Sequence, residues 1–159
     1  MRFYLIDRIT EIAPKKYVEG LKLVSMSEDV FDEHFPGYPI FPGSLILEGL
    51  AQMSGFFFEY CLREEGITDR RAVLTMVNRM KYRRMVIPGD VLHYRADVKT
   101  FDPDVYATVS VEVTCEGKRY AEGELFFSFL PDIMDEEMKK VTDRLMALAF
   151  RNTRIITEE

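Results

Sequence analysis

The feature that most constrains the fold is a proline-free run from Ser44 to Gly66, SLILEGLAQMSGFFFEYCLREEG, apolar on nearly every side. Its length predicts one long helix, with Ser44 placed to cap the start and Gly66 to end it. A helix that is apolar all round must be enclosed by other elements rather than lie on a surface. The enclosing elements follow in the chain. Val105, Ala107, Val109, Val111, Val113 and Cys115 alternate with Thr108, Ser110, Glu112 and Thr114, the period of a half-buried strand. Segments 72–84, 91–101 and 119–130 read as further strands, parted by Pro88-Gly89-Asp90, Asp102-Pro103-Asp104 and Glu116-Gly117. Such short turns predict an antiparallel meander. Upstream lie an apolar start, 3–9, and a strand over 17–26. Beyond Pro131, the residues Ile133, Met134, Met138, Val141, Leu145 and Leu148 recur at helical spacing, so a terminal amphipathic helix is expected, with loose residues after it up to 159. The sum is an α+β fold, a curved antiparallel sheet wrapped around a long central helix. It forms a single domain over 1–159 with a C-terminal extension of about 131–159.

The few polar residues of the buried helix carry the most information. Ser44, Glu48, Gln52, Gly55 and Glu59 are spaced to fall on one side of it. Glu48, within Leu45-Ile46-Leu47-Glu48-Gly49-Leu50-Ala51, bears a desolvation cost unless it is hydrogen-bonded or lines a wet cavity, and burial favours its protonated form, which suits a general acid. Glu59, nearer the charged helix end, is expected to face solvent. The stripe begins at a stiff loop, His34-Phe-Pro-Gly-Tyr-Pro-Ile-Phe-Pro-Gly43, whose prolines hold the preceding residues extended. His34 there is either a satisfied structural residue or a base. Where the helix begins, the N–H groups of Gly43 and its followers lack intrahelical partners and carry the positive end of the macrodipole, so they can bind a developing oxyanion. A base, an acid and an oxyanion donor within fifteen residues fit proton abstraction beside a carbonyl followed by loss of a leaving group. His93, the other histidine, lies on a strand face with Val91, Arg95 and Asp97 and is given no role.

Charge and composition narrow the classes further. A net charge of -6 disfavours non-specific nucleic-acid binding. Cys61 and Cys115 have no metal-ligand spacing and read as free buried thiols; no metal or other cofactor is expected. The start, MRFYLIDRIT, places Asp7 and Arg8 where a signal peptide needs an apolar core, and no apolar run is long enough to span a bilayer, so a cytoplasmic protein is expected.

The loop together with Leu47-Glu48-Gly49-Leu50-Ala51-Gln52 closely resembles the signature of FabZ-type beta-hydroxyacyl-acyl carrier protein dehydratases. Tyr4-Leu-Ile-Asp7-Arg8, Lys81-Tyr-Arg-Arg84 and Val86-Ile-Pro-Gly-Asp90 extend the resemblance from about Phe3 to Leu130. It implies a hotdog fold and dehydration of a (3R)-hydroxyacyl-acyl carrier protein to the trans-2-enoyl form. His34 would take the α proton, Glu48 would assist departure of the β-hydroxyl, and Gly43 would donate its N–H to the thioester carbonyl; Phe35 and Gln52 would contact substrate. The cooperating histidine and glutamate would come from different subunits of a homodimer, which can assemble further into a trimer of dimers. Arg79, Lys81, Arg83 and Arg84 form a candidate docking surface for an acidic acyl carrier protein. Two residues depart from the family pattern: Glu33 where glycine is usual, and Gly49 where alanine or serine is usual. The alternatives are a dehydratase that also isomerises the double bond, a hotdog acyl thioesterase, and a non-catalytic binding subunit.

Overall fold

The computed structural model describes residues 3–158. Seven strands and two α-helices follow in the order β1 (Arg8–Ala13), β2 (Tyr17–Leu23), a short 3-10 turn (Asp29–Asp32), α1 (Gly43–Glu64), β3 (Arg70–Tyr82), β4 (Val91–Asp102), β5 (Tyr106–Cys115), β6 (Lys118–Pro131), α2 (Glu136–Ala149) and β7 (Arg154–Ile155). The strands form one sheet in the order β3-β6-β5-β4-β2-β1-β7, with every pair antiparallel except β1 with β7.

Alternation works as the sequence implies from Val109 onward, whereas Val105 is exposed ahead of β5 and Thr108 is buried with its apolar neighbours. Val109, Val111, Val113 and Cys115 of β5, Leu92, Tyr94 and Ala96 of β4, and Ala121, Leu125, Phe127 and Phe129 of β6 are buried. They join Leu50, Met53, Phe57, Phe58, Cys61 and Leu62 of α1 in one core. Phe58 is fully buried and meets the rings of Phe57, Phe101, Phe127 and Phe129 at centroid distances of 5.4 to 6.0 Å. Burial of such a side chain contributes roughly 1.5–3 kcal/mol, and each well-oriented ring pair about 0.5–1.5 kcal/mol more.

The structure corrects the sequence reading in several places. The helix begins at Gly43, with Pro42 rather than Ser44 as its N-cap. The Pro42 carbonyl accepts from Leu45 N (3.0 Å) and Ile46 N (3.1 Å), and Ser44 lies exposed inside the helix. The other end is as expected. Gly66, at φ +78°, closes a Schellman motif in which Gly66 N–H donates to Arg63 O and Ile67 N–H to Leu62 O, both at 2.9 Å. The meander is real only for β4, β5 and β6, because β3 crosses over to pair with β6. Pro88-Gly89-Asp90 is thus the end of a longer connection, fastened by the bridge of Val86 to Phe41, and not a hairpin turn. Part of the apolar start is strand β1, and the tail is not loose throughout: Arg154 and Ile155 pair in parallel with Glu11 and Ile12 of β1.

The terminal helix exists, with Asp135 as N-cap accepting from Met138 N. Its expected apolar stripe does not dock as a whole. Met138, Val141 and Leu148 stay exposed, as does Ile133 ahead of the helix, whereas Met146 and Ala149 are buried. Contact with α1 runs through the stacked rings of Tyr60 and Phe150 and through Arg63 with Asp143 at 3.0 Å.

Candidate active site

The histidine loop is fixed at both ends. The His34 backbone N–H donates to Val30 O of the 3-10 turn (2.9 Å), and Ile40 N–H returns a bond to His34 O (3.0 Å). Phe31 and Phe41 bring the two ends together with ring centroids 6.3 Å apart. The half-buried imidazole places Nδ1 2.7 Å from Ile40 O. A carbonyl only accepts, so Nδ1 carries the proton and Nε2 is the free, basic nitrogen. The exposed Phe35 ring stacks on His34 at 4.2 Å.

Glu48 is half-buried rather than enclosed. Gln52, one turn later, donates to its Oε1 (3.0 Å) and to Phe3 O (2.9 Å), and accepts from Leu5 N (2.9 Å). A single amide therefore orients the carboxyl and fastens the N-terminal segment to α1. Gly49 makes that approach possible: a Cβ there would lie 2.5 Å from Leu5 O and 2.8 Å from the Tyr94 ring. No hydrogen bond joins His34 to Glu48 within the chain among the described residues.

At the head of α1, the N–H groups of Gly43 and Ser44 have no partner among the described residues. The Tyr82 ring lies against Gly43, close enough that a Cβ would come within 2.9 Å of it. Gly43 shares one open pocket with Tyr82, Arg83, Arg84, Met85 and Ile40. The four proposed docking cations are therefore divided. Arg83 and Arg84 border this pocket, with Arg83 also paired to Glu122. Arg79 and Lys81 line a separate groove among Asp97, Glu112, Glu122 and Glu124. Arg79 and Lys81 belong to β3, whereas Arg83 and Arg84 follow its last residue, Tyr82, in the connection that leads to β4.

The rest of the helix stripe behaves differently from expectation. Glu59 does not face solvent: it is 6% exposed, with Oε1 taking a bond from Ala72 N (3.3 Å) and pairing with Arg71 Nε (3.2 Å), while buried Oε2 has no partner among the described residues. The helix remains covered by β3 this far along, and burial raises the Glu59 carboxyl above the ordinary carboxylate value against the pull of Arg71. His93 is exposed on β4. Both cysteines are free and buried, and desolvation pushes the Cys61 thiol up to about 11, so it stays protonated at neutral pH. Two residues near the site escaped sequence reasoning. Tyr82 gave no local signal. Lys22 did: in β2 it alternates with Val18 and Gly20, a lone charge at a core-facing position, and it is 5% exposed.

A long helix held in a curved antiparallel sheet defines a hotdog-fold protein. The same fold is seen in the dehydratase heterocomplex ApeI:P of Xenorhabdus doucetiae, at a TM-score of 0.68 and 17% identity over 87% of this chain and 90% of that one. A thioesterase of Haemophilus influenzae shares it at a TM-score of 0.60 and 13% identity, with 80% of each chain covered. The chain belongs to the FabA-like domain family, which matches residues 1–124 and so includes the histidine loop and all of α1. It is 38% identical over 131 residues to a 3-hydroxyacyl-[acyl-carrier-protein] dehydratase FabZ of Acetivibrio thermocellus, covering 80% of this chain and 85% of the relative. It is 35% identical over 126 residues to the protein of that name in Campylobacter curvus, covering 77% and 80%. Among the described residues no helix is long and apolar enough to cross a membrane.

Proposed function

We propose that this protein is a cytoplasmic, homodimeric dehydratase that converts (3R)-hydroxyacyl-acyl carrier protein to the trans-2-enoyl thioester in fatty acid or related lipid biosynthesis. Its site is made by His34 of one subunit and Glu48 of the other. The observation that carries this reading is the His34 ring, held by its Nδ1–H bond to Ile40 O so that Nε2 is presented as a base. His34 Nε2 removes the α proton. The electron pair of that C–H bond forms the new double bond, the β C–O bond breaks, and the hydroxyl leaves as water with the proton of Glu48. The proton on His34 then returns to Glu48 through solvent, which resets the site. The Gly43 N–H, free and at the positive end of α1, takes the charge that develops on the thioester carbonyl. Nothing in these steps moves an electron to or from a carrier, so the chemistry calls for no redox cofactor.

Two features support the dimer. Among the described residues the outer edge of β3 has no neighbour in the sheet, and Val73, Met76 and Val77 are exposed along it. An uncovered apolar edge strand is a template for pairing with a second chain. The cations beside the Gly43 pocket, Arg83 and Arg84, suit docking of an acidic carrier protein although Arg83 also pairs with Glu122, whereas Arg79 and Lys81 lie away from that pocket in a groove lined with carboxylates.

The test is to incubate the protein with a 3-hydroxyacyl carrier substrate and follow enoyl formation, double-bond position and free thiol together. Dehydration without thiol release is expected, falling by about 10³-fold or more in His34→Ala and Glu48→Gln. Full activity in either variant would overturn the mechanism, and release of thiol would favour a thioesterase.

A further inference from the structure

The base and the acid sit on different scaffolds, and one buried ammonium touches both. Lys22 Nζ lies 2.6 Å from Glu28 Oε1, donates to Leu23 O at 3.0 Å, and is 3.8 Å from Asp7 Oδ2. Glu28 caps the 3-10 turn, whose Val30 O receives the His34 N–H. At the other end of the loop, Phe41 lies with its ring centroid 5.8 Å from the same ammonium. Asp7 belongs to the N-terminal segment. It accepts from Leu23 N at 2.7 Å, and two residues before it Leu5 binds Gln52, the amide that orients Glu48.

We infer that Lys22 is a positioning residue that sets the His34 loop and the Glu48 support against each other. This inference rests on the proposed dehydratase reading for its kinetic consequence, though not for its structural one. A strand position facing the core would ordinarily hold a valine or isoleucine, as Val18 does. A lysine there is costly to bury unless its charge is used, and its available partners are the carboxylates of the two scaffolds. Because the active pair is drawn from two subunits, one Lys22 governs the base of one site and the acid of the other, so a loosened tie degrades both sites of the dimer.

The test compares Lys22→Met, which keeps the aliphatic stem, with Glu28→Gln, which removes the charge pairing at a side chain only 22% exposed and keeps its volume. Two readouts are taken on folded dimer. One is kcat and KM on a soluble 3-hydroxybutyryl thioester of N-acetylcysteamine. The other is the ¹⁵N–¹H signal of the His34 Nδ1–H, readily assigned because the chain has two histidines. In both variants kcat is expected to fall about ten- to a hundredfold with KM within roughly twofold, since a small misplacement costs the transition state more than binding. The His34 signal should shift or broaden while that of His93 stays put. Unchanged kcat and an unchanged His34 signal, even with a lower melting temperature, would overturn the inference. If Lys22→Met does not fold, Glu28→Gln decides. If the unaltered protein shows no dehydration, the proposed function fails, and the His34 signal alone decides the positioning claim.

Discussion

Gly49 is where a methyl group would decide how closely the N-terminal segment can lie on α1. In a free helix alanine is favoured over glycine by about 1 kcal/mol. Here the added Cβ would meet Leu5 O at 2.5 Å, and Leu5 cannot retreat without loosening its bond to Gln52. Gly49→Ala is expected to destabilise the protein by about 1–3 kcal/mol in urea unfolding and to lower activity through Gln52 and Glu48. The neighbouring Tyr94 hydroxyl is buried without a partner among the described residues. Tyr94→Phe is therefore expected to be neutral or to stabilise by up to about 1 kcal/mol. Glu59 gives a pH signature. Its carboxyl titrates above the ordinary value of 4.5, chiefly through desolvation, so the native state holds a proton that the unfolded chain has lost. Stability from this group is full below 4.5 and is lost as pH rises through the raised native value. In urea titrations across that window, Glu59→Gln should gain on the wild type as pH rises. A constant difference would show that Glu59 is not the source.

Among the elements, the head of α1 and the crossing connection after β3 build the pocket beside Gly43. Arg83→Glu with Arg84→Glu is expected to raise KM for a carrier-bound substrate severalfold, most at low salt, and to leave KM for a small thioester unchanged. An equal rise for both substrates would place these residues in catalysis rather than docking. How much of this was legible in the sequence depends on range. The proline loop, α1 and strand β5 were readable because their signals are local: stiff dipeptides, a terminal glycine, and strict alternation from Ala107 to Cys115. The pairing of β3 with β6 was not, because nothing within 72–84 says which strand it meets across the sheet. Ser44 misled because a good capping residue sat two positions too late, behind a proline that caps with its backbone. Glu59 misled because charge near a helix end ordinarily marks exposure, and the covering strand β3 comes from elsewhere in the chain. The stripe of α2 identified a helix correctly, yet amphipathicity alone does not select which of its apolar residues find a partner. At the site, residue types marked Glu48 and His34, whereas the bonds of Gln52 to Phe3 and Leu5 required the fold.

At the scale of the whole molecule, an account in which His34 and Glu48 work across a subunit boundary makes the isolated chain an incomplete catalyst. On the proposed reading, a second chain completes it along the outer edge of β3, where Val73, Met76 and Val77 are exposed. Symmetry then gives a direct measurement. His34→Ala and Glu48→Gln proteins are each purified, unfolded or dissociated together in equal amounts, and allowed to reassemble. A mixed dimer has one site with both residues altered and one with both intact. Random pairing makes half the dimers mixed, so about a quarter of wild-type dehydratase activity should return from two inactive parents. If the mixture stays as inactive as its parents while mixed dimers are shown to form, the pair works within one chain or not at all, and the account is contradicted.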